Sequence, residues 1–356
     1  MNILRLLMIG ASLEQNGGIA TVENLILKYA PDEIIIQHIT SHDEGSIIHR
    51  LLVFIQAVGT FLSQLLFNRV DIVYIQLSDG GSVLRKAIIA KIALGFGKPV
   101  VIHAHGAEFP KTYNRLPAWA QKSLNRTFDR ASAFIVLSQS WRDFYINNCA
   151  LNPDRVFVLK NPTEMPGLIP DRASKAGKVT AIFCGRIGRR KGAFDLIEAF
   201  AKLPPQQQQS SQLIMAGDGD VEAAQKLVES FNLQGQIIFP GWINSAQREQ
   251  LLATADLFIL PSYHEGLPMA ILEAMSWGLP IISTTVGGIP EIVVNHQNGL
   301  LIEPGDINGL AQSIESLILT KSLRLALGEN ARISVKSFDI NCYWARLSEL
   351  FYSCCR

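Results

Sequence analysis

What this sequence lacks already removes several classes of function. Its five cysteines (Cys149, Cys184, Cys342, Cys354 and Cys355) are an odd set without C-x-x-C spacing. That argues against a disulfide framework or a zinc site and suits a reducing cytosol. Charged residues are only 18% of the chain and nearly cancel at a formal +1, so no overall field draws the protein to nucleic acid. No G-x-G-x-x-G follows the first apolar run, which disfavours a nicotinamide cofactor. No short repeat recurs, which argues against a solenoid. An uninterrupted apolar run of roughly 20 residues, the length of a membrane span, is also missing. The nearest candidate, residues 51–67, is broken by Gln56, Thr60, Ser63 and Gln64 along one helical stripe and reads as a buried or interfacial helix. The opening MNILRLLMIG runs straight into a Gly-rich turn without a small-residue cleavage site, and reads as a buried strand rather than a signal peptide.

What is present is an alternation. Apolar residues make up 48% of 356 residues, enough for two α/β domains of ordinary size. Short apolar runs alternate with helix-length segments, the pattern of a mainly parallel sheet covered by helices. Strands are expected at 4–9, 34–38, 72–75, 100–103, 133–137 and 156–159, with helices at 20–29, 84–95 and 140–147. At Asn161-Pro162 the pattern gives way to a Pro-, Gly-, Ser- and Lys-rich stretch. It then restarts, with strands at 180–184, 212–216, 237–240, 257–260, 280–283 and 299–302, and helices at 191–202, 247–253 and 268–277. The expected organisation is an N-terminal domain at 1–160, a linker at 161–178, a C-terminal domain at 179–335 and a helical tail at 336–356 that packs back on the first domain. Two such halves imply a cleft, and open parallel sheets bind ligands at the carboxyl ends of their strands.

The most informative window is 258–278, FILPSYHEGLPMAILEAMSWG. A strand ends at Pro261, a loop carries His264, Glu265 and Gly266, Pro268 suits the first turn of a helix and Gly278 its stop. Free amides at such a helix start face anything anionic at the strand end. Glu265 and Glu273, about two turns apart, could each accept paired hydrogen bonds from vicinal hydroxyls; the alternative is a dipole-stabilising acid and a solvated helix glutamate. Upstream, Arg186 and Lys191 follow another strand end and suit a ligand with two phosphates, or else surface ion pairs. Asp218-Gly219-Asp220 imitates a metal-binding Asp-x-Asp, but its Gly-rich setting fits a plain turn. In the first half, Gly17-Gly18 permits close backbone approach or simply a turn. His103 and His105 lack a third metal ligand at useful spacing, and His105 could equally be structural.

Taken whole, the window closely resembles the EGxPxxxxEA block of the retaining glycosyltransferases of family 4, built on the two-domain GT-B fold. Cys184-Gly185-Arg186 with Lys191-Gly192 resembles that family's G-R-x4-K-G stretch, and Ala216-Gly217-Asp218-Gly219 its AGxG turn. Gly287-Gly288-Ile289-Pro290-Glu291 resembles its GGxPE loop, and Asn298-Gly299-Leu300-Leu301 its NGxL strand start. In the first half, Gly17-Gly18 resembles its Gly-rich loop, and His105-Gly106-Ala107-Glu108 its H-G-x-D/E segment. The resemblance implies that Arg186 and Lys191 clamp a donor diphosphate, that Glu265, Gly266 and Leu267 hold the sugar, and that Glu273 holds the nucleotide ribose. It further implies that Gly17 and Gly18 face the donor phosphates and that His105 lies beside the donor sugar. A nucleotide diphosphate sugar is then a substrate, and neither a metal nor a cofactor is expected. The family's junction motif Asn-Gly-Val-Asp is replaced here by Asn161-Pro162-Thr163-Glu164.

The expected reaction is retaining transfer of a hexose-like unit to an acceptor hydroxyl, by front-face attack. Similarity to enzymes of bacterial surface polysaccharides (O-antigen, capsule or exopolysaccharide) implies a carbohydrate or lipid-linked acceptor, and a cytoplasmic protein held peripherally on the inner face of the membrane. Residues 85–130 carry nine lysines and arginines against two acids. With the apolar residues of 84–95, that stretch suits an anionic membrane surface, or solvated cations over ordinary Rossmann helices. No nucleic-acid partner is expected. Two rivals remain: a nucleotide-sugar epimerase of the same fold, and a catalytically inactive assembly subunit.

Overall fold

The computed structural model describes residues 3–67 and 69–355, and the chain divides into two units. The first comprises residues 1–162 and 340–356. Its elements are β1 (Leu4–Gly10), α1 (Gly18–Lys28), β2 (Ile34–Thr40), α2 (Ile47–Leu66), β3 (Ile72–Leu77), α3 (Gly81–Gly95), β4 (Val100–Ala104), α4 (Phe109–Asn114), α5 (Ala118–Asp129), β5 (Ala133–Val136), α6 (Gln139–Cys149) and β6 (Val156–Val158). The second covers residues 163–339. It holds β7 (Val179–Cys184), α7 (Ala193–Ala201), α8 (Pro205–Ser210), β8 (Ser211–Ala216), α9 (Val221–Ser230), β9 (Ile237–Gly241), α10 (Ser245–Thr254), β10 (Leu257–Leu260), α11 (Met269–Ser276), β11 (Ile281–Thr284), β12 (Gly299–Ile302), α12 (Ile307–Leu319) and α13 (Lys321–Val335). The last helix, α14 (Ile340–Cys354), belongs to the first unit.

The first sheet is parallel, in the order β2-β1-β3-β4-β5-β6. Its central strands are apolar on both faces because helices cover both; β3, IVYIQL, is buried throughout. α2, α3, α5 and α6 share one core with the sheet through Phe61, Ile89, Phe128 and Tyr145. The chain reverses direction across the sheet after β2, so right-handed crossovers put α1 on the opposite face, where α14 packs against it. Phe351 of α14 sets its ring edge-on to Tyr74 at 5.1 Å between centroids.

Residues 47–66 form a helix in which Ala57, Phe61 and Leu65 are buried while the first two turns stand in solvent, so the buried reading holds for its second part and the exposed apolar turns agree with the interfacial one. It starts earlier than its apolar pattern suggests because the Ser46 hydroxyl caps it, accepting from the His49 amide at 3.2 Å. The stretch expected as a linker is, from residue 163 onward, part of the second unit. Arg172 ties it down by donating to the carbonyls of Leu252, Ala255 and Trp277 at 2.8–2.9 Å, and Lys175 meets Asp256 at 2.5 Å.

The second sheet is also parallel, in the order β12-β11-β10-β7-β8-β9. Strand order reverses between β7 and β10, which makes their carboxyl ends the topological switch point. Gly278 ends α11 in the left-handed region at φ +71°, and Pro268 stands immediately before its first turn.

Candidate active site

Four neighbouring strands of the second unit end in the Gly-rich loops singled out from the sequence, and these loops interlock. A Cβ on Gly192 would lie 2.0 Å from the Pro261 carbonyl oxygen, joining the β7 loop to the β10 loop. A Cβ on Gly217 would meet the Gly185 carbonyl oxygen at 1.9 Å, joining the β8 loop to the β7 loop. Gly287, at φ +56°, brings the β11 loop within 2.0 Å of the Glu265 carbonyl oxygen by the same measure, and the Gly288 amide donates to Gly266 at 2.7 Å. Each glycine stands where two backbones touch, so the motifs form one floor at the switch point.

The side chains on that floor are paired in a particular way. Lys191 Nζ and Glu265 Oε1 are 2.5 Å apart, and the Ser262 hydroxyl donates to the same oxygen at 2.7 Å. Glu265 is therefore buried and held, with Thr284 fixing the Ser262 carbonyl at 2.6 Å. Gly266 and Leu267 follow it into the start of α11, and Leu267 is buried. Arg186 differs: its side chain is 67% exposed and faces Asp218 at a loose 3.6 Å, leaving its fork open to a ligand. Asp218 thus sits in a turn against a cation. Among the described residues no three His, Cys, Asp or Glu side chains gather into a metal-binding group.

Glu273 is neither solvated nor free. Its carboxylate is mostly buried and lies 3.2 Å from Arg248 on α10. Burial raises its pKa, and the Arg248 charge partly opposes the rise. The Cys184 thiol nearby is pushed up to about 12 by burial and then by the Glu273 charge, which leaves it inert as a nucleophile. Arg248 was not legible in the sequence: it lies on a helix marked only by its Asn244/Gln247 capping box. Ser262 lay inside the informative window but carried no signal of its bond to Glu265.

In the first unit, Gly17 and Gly18 begin α1, both exposed, with open space where a Gly17 Cβ would stand. His105 follows β4 and is buried, and its Nε2 lies 2.8 Å from Gln76 Oε1. A carbonyl-type acceptor there sets the tautomer with hydrogen on Nε2 and leaves Nδ1 as the acceptor. Burial lowers the His105 pKa to about 3, so the ring is neutral at physiological pH. The ring of its neighbour His103 is tilted by 41° against it with centroids 4.0 Å apart, and bonds through Nδ1 to the Tyr74 hydroxyl at 2.7 Å. Gln76 did leave a trace in the sequence, as the one polar residue in an otherwise apolar strand. Glu108 is half-buried, stands at the N-cap position of α4 without a side-chain capping bond, and meets Lys111 at 3.3 Å.

Comparison with known proteins matches two family models end to end along the chain: Glycosyltransferase Family 4 over residues 27–165 and Glycosyl transferases group 1 over residues 168–334. An uncharacterized glycosyltransferase of Methanocaldococcus jannaschii is 27% identical over 279 residues, which are 75% of this chain and 70% of that one. The lipopolysaccharide core biosynthesis glycosyltransferase LpsE of Rhizobium meliloti is 36% identical over 146 residues, 41% of each chain. Among solved structures, HepE of Anabaena in complex with UDP superposes with a TM-score of 0.79 at 20% identity, covering 98% of this chain and 100% of that one. That protein has also been solved with UDP-glucose. The structural likeness establishes the fold, two Rossmann-like units of the GT-B type.

Proposed function

The chain belongs to the group 1 glycosyltransferases, and from that premise we propose that it transfers a sugar, with retention, from a nucleotide diphosphate sugar to an acceptor hydroxyl. The observation that carries this reading is the switch-point floor of the second unit. There an open Arg186 and a Lys191 drawn onto Glu265 share one strand-end loop beside the start of α11. UDP and UDP-glucose in the HepE structures support a nucleotide sugar as donor. The likeness to LpsE, a lipopolysaccharide core biosynthesis glycosyltransferase, supports a place in lipopolysaccharide or related polysaccharide synthesis, and the acceptor in this proposal is a lipid-linked precursor.

In this mechanism the acceptor oxygen attacks the anomeric carbon on the face the diphosphate leaves. The bond from that carbon to the phosphate oxygen breaks, the oxygen takes the acceptor proton, and a nucleoside diphosphate departs. Arg186 and Lys191 stabilise its growing charge, so catalysis is electrostatic and orientational. Glu265, fixed by Ser262, positions Lys191 and accepts from sugar hydroxyls; Glu273 with Arg248 takes the ribose. His105, neutral in its surroundings, serves as a hydrogen-bond partner rather than an acid. No metal enters this scheme, because two cations already face the phosphates. The basic residues of 85–130 other than the buried Lys86 support peripheral attachment to an anionic membrane.

The test is a panel of labelled nucleotide sugars, with and without a lipid-linked acceptor, in buffer and in excess EDTA. Acceptor-dependent transfer with unchanged anomeric configuration and no loss under EDTA is expected. Conversion of one nucleotide sugar to another without acceptor would indicate the epimerase instead, and chelation-sensitive activity restored by Mn²⁺ would overturn the metal-free scheme.

A further inference from the structure

The carboxyl end of β1 is gripped by side chains from both faces of the first sheet. From α3, the Lys86 ammonium donates to the carbonyl oxygens of Ile9 at 2.7 Å and Gly10 at 3.2 Å, and to the Ser41 hydroxyl at 2.6 Å. From α1, on the other face, the Glu23 carboxylate lies over Gly10, where a Cβ would come within 2.1 Å of Oε2. Glu23 Oε1 accepts from the Ala11 amide at 3.4 Å, and Oε2 meets His38 Nε2 at 3.0 Å. Lys86, Glu23 and Ser41 are all buried. Burying an ammonium whose three bonding partners are neutral is costly, so its charge calls for a reason beyond packing.

Counting hydrogens shows that the charge is needed. The Ser41 hydroxyl donates to the Gly10 carbonyl at 2.7 Å, so toward Lys86 its oxygen can only accept. Lys86 therefore meets three acceptors with three hydrogens, and a neutral amine has only two. Without the proton, a lone pair would face one of these oxygens and that bond would be lost. Burial brings the loss within reach by lowering the Lys86 pKa to about 7; Glu23 opposes the shift and Arg85 adds to it. His42 beyond β2, itself lowered by burial and then by Arg85, Arg50 and Lys86, completes the charged surroundings. Tyr74 of β3, on the Glu23 side, is kept neutral by burial.

The grip falls at a particular place. Ile9 is the last residue of β1 in register with β3, and the strand order reverses between these two strands. Their carboxyl ends are thus the switch point of the first sheet, where open parallel sheets bind ligands. The loop at 11–17 leaves β1 there. It is tied at its base by the Ser12 amide, which donates to the His42 carbonyl at 2.9 Å, and by Asn24, which donates to the Leu13 carbonyl at 2.9 Å. Glu14, Asn16 and Gly17 beyond that base are exposed.

We propose that Lys86 is a positioning residue for sugar transfer: as an ammonium it holds the end of β1 so that the loop at 11–17 meets substrate in one shape, and loss of its proton loosens that loop. The inference rests on the sugar-transfer reading above.

Transfer from the preferred nucleotide sugar is measured from about pH 5.5 to about pH 9.5 for the unaltered protein, Lys86→Met and Glu23→Gln. In the unaltered protein kcat/KM should fall as pH rises through about 7. Lys86→Met should be about tenfold to a hundredfold slower below that pH, the scale for a misplaced binding element, and flat across it. Glu23→Gln, which keeps the shape but removes the charge that favours the ammonium, should move the fall to lower pH. In parallel, hydrogen exchange of the amides of residues 11–15, corrected for the intrinsic effect of pH, should quicken across the same range in the unaltered protein and be fast throughout in Lys86→Met. Thermal unfolding checks that both variants fold, and if Lys86→Met does not, the shift in Glu23→Gln decides. A slower Lys86→Met that keeps the unaltered pH profile would reduce Lys86 to a structural lysine. An unmoved profile in Glu23→Gln, or amide exchange indifferent to pH, would equally overturn the proposal. Absence of any transfer by the unaltered protein would sink the sugar-transfer reading instead, and the exchange measurements would then decide alone whether Lys86 holds the loop.

Discussion

Lys191 and Lys86 are both poorly exposed lysines, but they face opposite partners. Lys191 meets a carboxylate, Glu265, which keeps its charge in place for a phosphate to share. Lys191→Ala should therefore cost about 2–5 kcal/mol of transition-state stabilisation, the scale for truncating one partner of a buried charged pair. Arg186→Ala, with no buried partner to orphan, should lower kcat without lowering stability. Steady-state kinetics with the preferred donor check both, and near-unaltered turnover in the two variants would remove them from the mechanism. Lys86 meets only two carbonyls and a hydroxyl, and burial pushes its pKa down to about 7, with Glu23 partly opposing the shift. Between pH 7 and 10.5 the unfolded chain keeps a proton that the folded protein has released. The unfolded state then binds more protons, so stability rises with pH across that window and falls again toward pH 7. Urea unfolding at several pH values within it should show that slope, and Lys86→Met should flatten it.

Loops and helices differ in how much of their role is written locally. The strand-end loops of the second unit were legible because close backbone approach requires glycine wherever it occurs. Gly185, Gly192, Gly217 and Gly287 sit in short motifs that no side-chain periodicity explains. Gly287→Ala should cost about 1–2 kcal/mol for the left-handed conformation alone. The added methyl must also displace Glu265, so donor hydrolysis should fall much further than the unfolding midpoint; equal losses in calorimetry and kinetics would argue that the loop only supports the fold. The pairing of Glu273 with Arg248 was not legible, since 25 residues and the strand β10 separate them and the placement of α10 beside α11 decides the contact. Helix α2 was half legible. Its polar stripe pointed to a covered face, but periodicity cannot tell a turn covered by a neighbour from one that projects into solvent.

For the chain as a whole, the telling feature is that it leaves the first unit at Pro162 and returns to it at Ile340. α14 buries Tyr343, Trp344, Leu347 and Phe351 there, and full burial of such side chains is worth about 1.5–3 kcal/mol each. Phe351→Ala, which empties the space against Tyr74, should destabilise the first unit by about 3–5 kcal/mol. Calorimetry should show one transition lowered and the other kept; a single transition shifted as a whole would contradict independent units. The sequence by itself determined the two parallel sheets, because strands buried on both faces must be continuously apolar, and it determined the loops where glycine alone fits. Only the tertiary structure decided which cations find a carboxylate and which are left for a ligand. Lys191 and Arg186 lie five residues apart, as do the unlike halves of α2, yet one of each is covered and one is open. That difference comes from strand order and helix packing, which bring together residues that no local pattern relates.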